Sequence, residues 1–486
     1  MKMFPTLKAG FELSPTIRMM FNVGAGLDIP TGTYVKGAKG EMILNGGLSN
    51  LSAIVGRGNM YKSSVAYYMA MSVADRMFST ARAYINVYDT EINLQDNSIR
   101  RFFNGFDNLK NVDIINEGML DITDRVIYPA DKWYNILKDF MNNKVDNKEY
   151  LIDTPFLDRD GKSLIKIPIP SMTIVDSFTK FSTSYDDKLL DENELGDSGT
   201  NMSYVRQGGA KAKFLSEIPP KTAKSCNMTI LTAWINEKMN LGAGPYTPPP
   251  AKKLASLKQD ENIKGVSTDF TFAMSSCWYA FNSELLIHKE SKTPLYPKNV
   301  KEEESGDTDL NLISLKQLRC KTGPTNIVIK IVVSQTEGVK PSLTEFHYLK
   351  ERDYGFQGNK QNYQLVLYPS INLNRTTIRD KLDNNPKLRR AINITSELSQ
   401  MKQYYRLMRS SIPEPEQLYD FLIKNGYDLD LIMSTRGWAT VDNYNCPIPF
   451  LSTKDLIDMY NGEYFPYWMD QDKKSINSEW KNILKI

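Results

Sequence analysis

An apolar run that breaks at a glycine-bearing loop and resumes as a helix constrains this chain more than any other stretch. Ala53, Ile54 and Val55 lead into Gly56, Arg57, Gly58, Asn59, Met60, Tyr61, Lys62, Ser63 and Ser64. Val65, Met69, Val73 and Met77 then follow at helical spacing, so the stretch predicts a strand, a loop and a helix. In a phosphate-binding loop of the form G-x-x-x-x-G-K-[ST], backbone N–H groups and the helix N-terminus surround the phosphates. The lysine reaches the outer ones and the Ser or Thr holds Mg²⁺. Gly56, Lys62 and Ser63 meet that pattern, and Tyr61 stands where it has glycine. An ordinary strand-to-helix turn with a solvated lysine uses the same residues, and the surrounding chain has to decide between the two.

Three more apolar runs end in polar groups. Residues 83–91 close on Asp89 and Glu91, residues 171–177 on Asp176 and Ser177, and residues 228–237 on Asn236 and Glu237. Open α/β sheets place their chemistry at the carboxyl ends of strands, although acidic residues also end strands simply by starting turns or capping helices. Asp176 suits a Walker B position near Mg²⁺. Residues 130–143 carry apolar positions at helical spacing and are expected to cover one sheet face. The expected fold class is therefore α/β, a mostly parallel, doubly wound sheet. Residues 1–51, rich in glycine and proline, are expected as loops and short strands leading into it. Residues 186–206, acidic and then Gly- and Ser-bearing, and residues 240–271, with Lys252, Lys253, Lys258 and Lys264, are expected as long loops.

With 486 residues, 41% of them hydrophobic, the chain can bury a large core and form more than one domain. A formal net charge of +3 leaves any nucleic-acid contact to local patches. Cys226, Cys277, Cys320 and Cys446 form no C-x-x-C pair, and His288 and His347 are the only histidines. Those counts argue against a zinc site or His-based catalysis and for reduced cysteines in a cytoplasmic compartment. No apolar run reaches membrane-spanning length and no signal peptide opens the chain, so no membrane partner is expected.

In this order the pieces resemble the RecA family of recombinases, and more closely its bacteriophage branch of T4-type UvsX recombinases. That branch carries an aromatic residue before Lys-Ser, as Tyr61, Lys62 and Ser63 do here. Leu27, Asp28 and Ile29, followed by Gly46 and Gly47, resemble the family's lead-in, and Asp89, Thr90 and Glu91 its Asp-x-Glu. Val175, Asp176 and Ser177 resemble its Walker B strand; Gly196, Asp197 and Ser198, with Met202 and Arg206, are similar to its first DNA-binding loop. Ile235 and Asn236 resemble the strand end that senses the γ-phosphate and leads into the second DNA loop, here residues 240–271. The resemblance spans residues 27–348 and rests on order and spacing.

It implies a RecA-like P-loop ATPase core over residues 51–349, after a lead-in over residues 1–50, and leaves residues 350–486 as a C-terminal α+β domain. It implies ATP and Mg²⁺ as cofactors, with residues 56–64 on the triphosphate, Lys62, Glu91 and Asn236 catalytic, and Ser63 and Asp176 on the metal. Met202, Arg206, Lys252, Lys253 and Lys258 fall to DNA. The implied partners are single- and double-stranded DNA, further copies of the chain in a helical filament or a ring, and single-strand-binding and mediator proteins. The implied setting is the cytoplasm of a phage-infected bacterial host.

Two departures bear on activity. Glu237 stands where the family has Gln or His, a charge expected to alter how the γ-phosphate reports to the second loop. Val333 and Gln335 stand where a family strand carries basic residues that reach the neighbouring subunit's ATP. Their loss removes charge stabilisation of phosphoryl transfer, with Lys330 or Lys340 the available substitutes. Two other functions fit the same motifs. One is a hexameric replicative helicase motor of the same superfamily, whose loop often begins Gly-Arg as Gly56 and Arg57 do. The other is a nucleotide-binding filament protein with weak or no hydrolysis. Beyond residue 348 the resemblance fades. Residues 302–307 are expected as a solvated acidic hairpin tip. Residues 375–390 are expected as a solvated basic helix face, with duplex phosphates as the second possibility. Residues 412–432 and 452–460 are expected as short amphipathic helices, the latter capped by Ser452 or Thr453, and residues 464–468 as a packing surface.

Overall fold

The computed structural model describes residues 15–103, 105–192, 198–237, 256–258, 261–267, 270–359, 362–405 and 411–484. Its centre is a ten-stranded sheet. In chain order the strands are β1 (Leu51–Gly56), β2 (Tyr84–Asp89), β3 (Leu120–Asp124), β4 (Ser171–Asp176), β5 (Asn227–Glu237), β6 (Glu261–Ile263), β7 (Ser276–Leu285), β8 (Leu310–Cys320), β9 (Val328–Ser334) and β10 (Gly338–Val339). Across the sheet they run β10-β9-β8-β7-β1-β5-β4-β2-β3, with β6 paired to β5. The stretch from β7 to β3 is parallel throughout, and β8, β9 and β10 extend it antiparallel at one edge.

Why these residues make a two-sided sheet is visible in β1, where every position is buried. Ile54 packs into an apolar cluster with Val65, Met69, Val73 and Met77 of helix α1 (Lys62–Met77), the spacing that predicted that helix. Ala53 and Val55 face the other cluster, with Trp133, Leu137 and Met141 of helix α2 (Ala130–Asp146). Alternate residues thus meet helices on opposite faces, the arrangement that a parallel sheet buried on both sides requires.

A third cluster joins Leu343, Phe346 and Leu349 of helix α3 (Pro341–Arg352) to Ile392, Leu398, Leu418, Leu456 and Trp468. It also takes in Ile29 and Leu44 from the N-terminal segment. Residues beyond 352 add a three-stranded antiparallel sheet and helices that include α4 (Pro386–Tyr404) and Thr453–Tyr460. Ser452 caps the last of these in a capping box with Asp455, as the sequence predicts. The four cysteines are free. Among the described residues no helix is long and apolar enough to cross a membrane.

The structure corrects three sequence expectations. Much of residues 186–206 is not loop: Ser184–Glu192 and Ser198–Ser225 are helices, the second running on through Pro219 and Pro220. Within residues 240–271, Glu261–Ile263 folds back as a strand on the end of β5. The two charge runs, each expected to face solvent, face each other instead. The acidic run forms helix Val300–Ser305, and Arg375 pairs with Glu303. Arg379, buried, lies 3.0 Å from Asp309 and 3.5 Å from Glu302. Arg390 is buried too, and its guanidinium donates to the carbonyl of Leu451 and to Asn393. Cations committed to such partners are not a solvated face, and an uncompensated buried charge at these sites would cost several kcal/mol.

A second buried polar network joins the N-terminal segment to the C-terminal helices. Asp28 accepts from the backbone N–H groups of Val23 and Gly24, with Arg76 at 3.6 Å. Asn393 donates to Glu345 and Glu397, and Thr453 donates to Glu397. Burial, aided by the nearby Glu397 carboxylate, pushes the Glu345 carboxyl up to about 8 from its ordinary 4.5. Folded chains therefore hold a proton there between about pH 4.5 and 8 that unfolded chains have released. The stability contributed by the neutral carboxyl is complete below that window and is lost as pH rises through it. Glu345→Gln is expected to stabilise the protein by roughly 1–3 kcal/mol at pH 8, with the gain shrinking towards pH 5. Thermal unfolding across that range checks it. A variant less stable than the parent at pH 8 would show that the arginines hold Glu345 ionised.

Candidate active site

The loop from β1 to α1 lies at the carboxyl edge of the parallel strands. Gly56 packs so closely against β7 that an added Cβ would stand 2.8 Å from the Ala280 carbonyl oxygen. Asn59 and Tyr61 both adopt left-handed backbone, at φ +58° and +51°. Tyr61 thus holds, at the position where the general pattern has glycine, the conformation that glycine adopts without strain. Its hydroxyl accepts a hydrogen bond from Asn311 at 2.9 Å, which anchors the ring against β8. Ser63 and Ser64 occupy the first turn of α1.

Lys62 is only 8% exposed. Its ammonium donates to the Arg57 carbonyl at 2.7 Å, folding the side chain back over its own loop. Burial lowers its pKa, and the carboxylates of Asp176 and Glu91 oppose that fall. Three predicted site residues are thus brought together from β4, from the end of β2 and from α1.

Each carboxylate is held by neighbours. Asp176 accepts from Thr232 at 2.5 Å and from Tyr67 at 3.1 Å, and the peptide from Asp176 to Ser177 is cis. Glu91 accepts from the Ser177 hydroxyl at 2.9 Å, which ties the ends of β2 and β4. Thr90 reinforces that tie, donating to the Ser177 carbonyl and accepting from its N–H. The loop that carries Glu91 is organised by Asp89. Its two carboxylate oxygens accept four successive backbone N–H groups, those of Glu91, Ile92, Asn93 and Leu94, at 2.8–3.0 Å. Asp89 is therefore spent on positioning.

Asn236 is exposed near the end of β5, two residues past the pairing of Trp234 with Gly56. It shares a strand face with Thr232, whose hydroxyl meets Asp176. Glu237 pairs with Arg57 at 2.9 Å. The same guanidinium lies 3.1 Å from Glu261, which Tyr279 also contacts. Arg57, within the glycine-bearing loop, is thus clasped by both strands of the β5–β6 hairpin, in which Glu237 and Glu261 are direct partners.

The DNA assignments are placed less completely. Met202 and Arg206 fall on helix Ser198–Ser225, with side chains outside the described residues. Gly196, Asp197, Lys252 and Lys253 also lie outside the described residues. Lys258 is exposed just before β6, its backbone N–H donating to Glu261. Val333 is fully buried in the sheet core and Gln335 is exposed just beyond β9. Of the possible substitute cations, Lys330 pairs with Glu351, and Lys340 with Glu337 and Asp383.

Sequence reasoning missed Tyr67, Thr232 and Glu261. The first two carried a faint signal: Tyr67 lies on the helix face of Lys62 and Ser63 one turn on, and Thr232 is a polar residue inside an apolar strand. Glu261 carried none, because its partner comes from the other end of the core.

A pair of neighbouring carboxylates, a serine hydroxyl and a lysine suits a hydrated Mg²⁺ bound with a polyphosphate. That ion takes one or two carboxylates and fills its other positions with phosphate and water oxygens. Comparison with protein-family models and with curated proteins finds no match.

Proposed function

We propose that this chain is a RecA-type, DNA-dependent ATPase that assembles on single-stranded DNA and promotes homologous pairing and strand exchange. The observation that carries the proposal is the meeting of Lys62, Asp176 and Glu91 at the carboxyl edge of a parallel sheet, beside a loop that opens a helix. In this proposal Lys62 leaves the Arg57 carbonyl for the outer phosphates, and the N–H groups of residues 58–63 surround the triphosphate. Ser63 and Asp176 would hold Mg²⁺, which supplies charge neutralisation of the phosphate oxygens when bound. Glu91 accepts the proton of the attacking water, and Asn236 contacts the γ-phosphate.

One observation favours a second reading, a filament protein with weak or no hydrolysis. Val333 is buried, and Lys330 and Lys340 are committed to carboxylates within the chain. A neighbouring subunit's ATP would then lack the basic groups that normally stabilise transferring charge.

The deciding experiment is ATPase activity with and without single-stranded DNA, with electron microscopy of the same sample. Stimulated turnover on helical filaments supports the first reading, and ATP binding on filaments without turnover supports the second. Closed rings that unwind duplex favour a replicative helicase. Absence of ATP binding defeats all three.

A further inference from the structure

We infer that a cleft formed by Arg125, Lys180 and Lys264 around Trp234 holds the phosphates of a single-stranded nucleic acid, an inference that rests on the DNA-binding function proposed above. The cleft encloses about 190 Å³ at the same edge of the sheet as the glycine-bearing loop. Arg125 follows β3, Lys180 follows β4, Trp234 belongs to β5 and Lys264 follows β6, so four segments of the sheet contribute to it.

Its chemistry is that of a polyanion site. The ammonium groups of Lys180 and Lys264 lie 5.2 and 5.8 Å from the centroid of the Trp234 ring. At that range the indole attracts each ammonium while leaving its N–H donors available to an anion. Among the described residues neither lysine, nor Arg125, forms an ion pair with a carboxylate. That separates them from the basic run at residues 375–390, whose arginines are spent on internal partners. Among the described residues Asp187 is the one carboxylate lining the cleft, and the Ser182 hydroxyl donates to it.

The walls are fixed before any ligand arrives. Lys211, buried on helix Ser198–Ser225, donates to the carbonyls of Thr179 and Gly265, the residues adjoining Lys180 and Lys264. The Trp234 backbone N–H donates to Thr179 Oγ1 at 2.8 Å. Cations presented on a pre-formed frame bind a polyanion without first paying to order it. The chain that continues from Arg125 favours single-stranded nucleic acid over a small anion. Directly after Arg125 come Val126, Ile127 and Tyr128, which are 72, 64 and 40% exposed, apolar and aromatic surface of the kind that unstacked bases contact. The helix that begins at Ser198 and the β5–β6 hairpin both border the cleft through Gln207, Trp234 and Lys264. A strand held here would therefore run beside the two segments that carry the other candidate DNA residues.

The test is fluorescence anisotropy of labelled oligo(dT) across a salt series, with ATP binding measured on the same preparations. Replacing Lys180 and Lys264 by Ala is expected to weaken binding about tenfold or more at near-physiological salt. The log–log salt slope should become shallower by about 1.4, and by about 2 when Arg125→Ala is added. Affinity for ATP should not change. Lys180→Gln with Lys264→Gln removes the charges while keeping polar side chains and replaces the alanine pair if that pair misfolds. A parent protein that binds ATP but no oligo(dT) overturns the proposed function itself. A parent that binds, with variants of equal affinity and slope, overturns the cleft alone. Loss of self-association with oligo(dT) affinity intact would also overturn it, and would assign the cations to an acidic surface of a second copy.

Discussion

Lys62→Ala is expected to remove nucleotide hydrolysis and to weaken ATP binding by roughly 10²-fold or more. In the free protein the buried ammonium rests on the Arg57 carbonyl and offsets two carboxylates, Asp176 and Glu91. Alanine removes the side-chain cation that offsets those carboxylates, leaving the neutralisation of an incoming triphosphate to a metal ion alone, and like charges at such range in a partly buried site are strongly repulsive. The same change deletes the charge-assisted hydrogen bond to the outer phosphates that the proposed function assigns to Lys62. Both losses grow as charge gathers on the transferring group, so turnover should fall further than affinity. Titration with a fluorescent ATP analogue, together with steady-state phosphate release, measures the two separately. A variant that binds and hydrolyses ATP like its parent would reduce the loop to an ordinary strand-to-helix turn. The fold itself should survive, because among the described residues the lysine ammonium makes its hydrogen bond only to its own loop.

The sequence made legible whatever depends on local periodicity. The strand ends at Asp89, Asp176 and Asn236, and the face of α1 marked by Val65, Met69, Val73 and Met77, lie where spacing put them. Two-sided burial writes strands as near-continuous apolar runs, and such runs stand out without knowledge of their neighbours. What stayed hidden depends on partners far along the chain. Arg379 and Asp309 are 70 residues apart, and a charge run reads as solvated until its opposite is known. Glu261 sits in a stretch of turn-forming residues, so nothing local marks it as the buried carboxylate that clasps Arg57. Residues 186–206 read as loop because Asp-, Ser- and Gly-bearing segments have low helix propensity. Packing of Phe214, Leu215 and Ile218 against the sheet overrides that propensity. The candidate site was legible at Lys62, Glu91 and Asp176. The residues that hold those groups in place, Asp89 by its four N–H contacts and Tyr67 and Thr232 by theirs, emerge only from the geometry.

Glu91→Gln separates positioning from chemistry at this site. The backbone of residues 91–94 is pinned by Asp89, and Ile92 is held at φ +59°, so the loop does not depend on the Glu91 side chain for its shape. Ser177 donates to Glu91 Oε1 at 2.9 Å, and a glutamine carbonyl oxygen can accept the same bond, though without the charge assistance. Size, hydrogen bonding and loop conformation are thus conserved, while the ability to accept a proton is lost. An interaction made only as the attacking water gives up its proton contributes to the transition state and not to the bound ground state. The expected result is a fall in kcat of roughly 10²-fold or more, with ATP affinity within about twofold of the parent. Removing one negative charge near Lys62 and Asp176 even favours tighter binding of the triphosphate, so affinity should hold or rise. Asp89→Ala supplies the contrast, since it frees the loop and should lower affinity and turnover together. If Glu91→Gln instead behaves like Asp89→Ala, Glu91 holds the loop to β4 through Ser177 and some other group takes the proton.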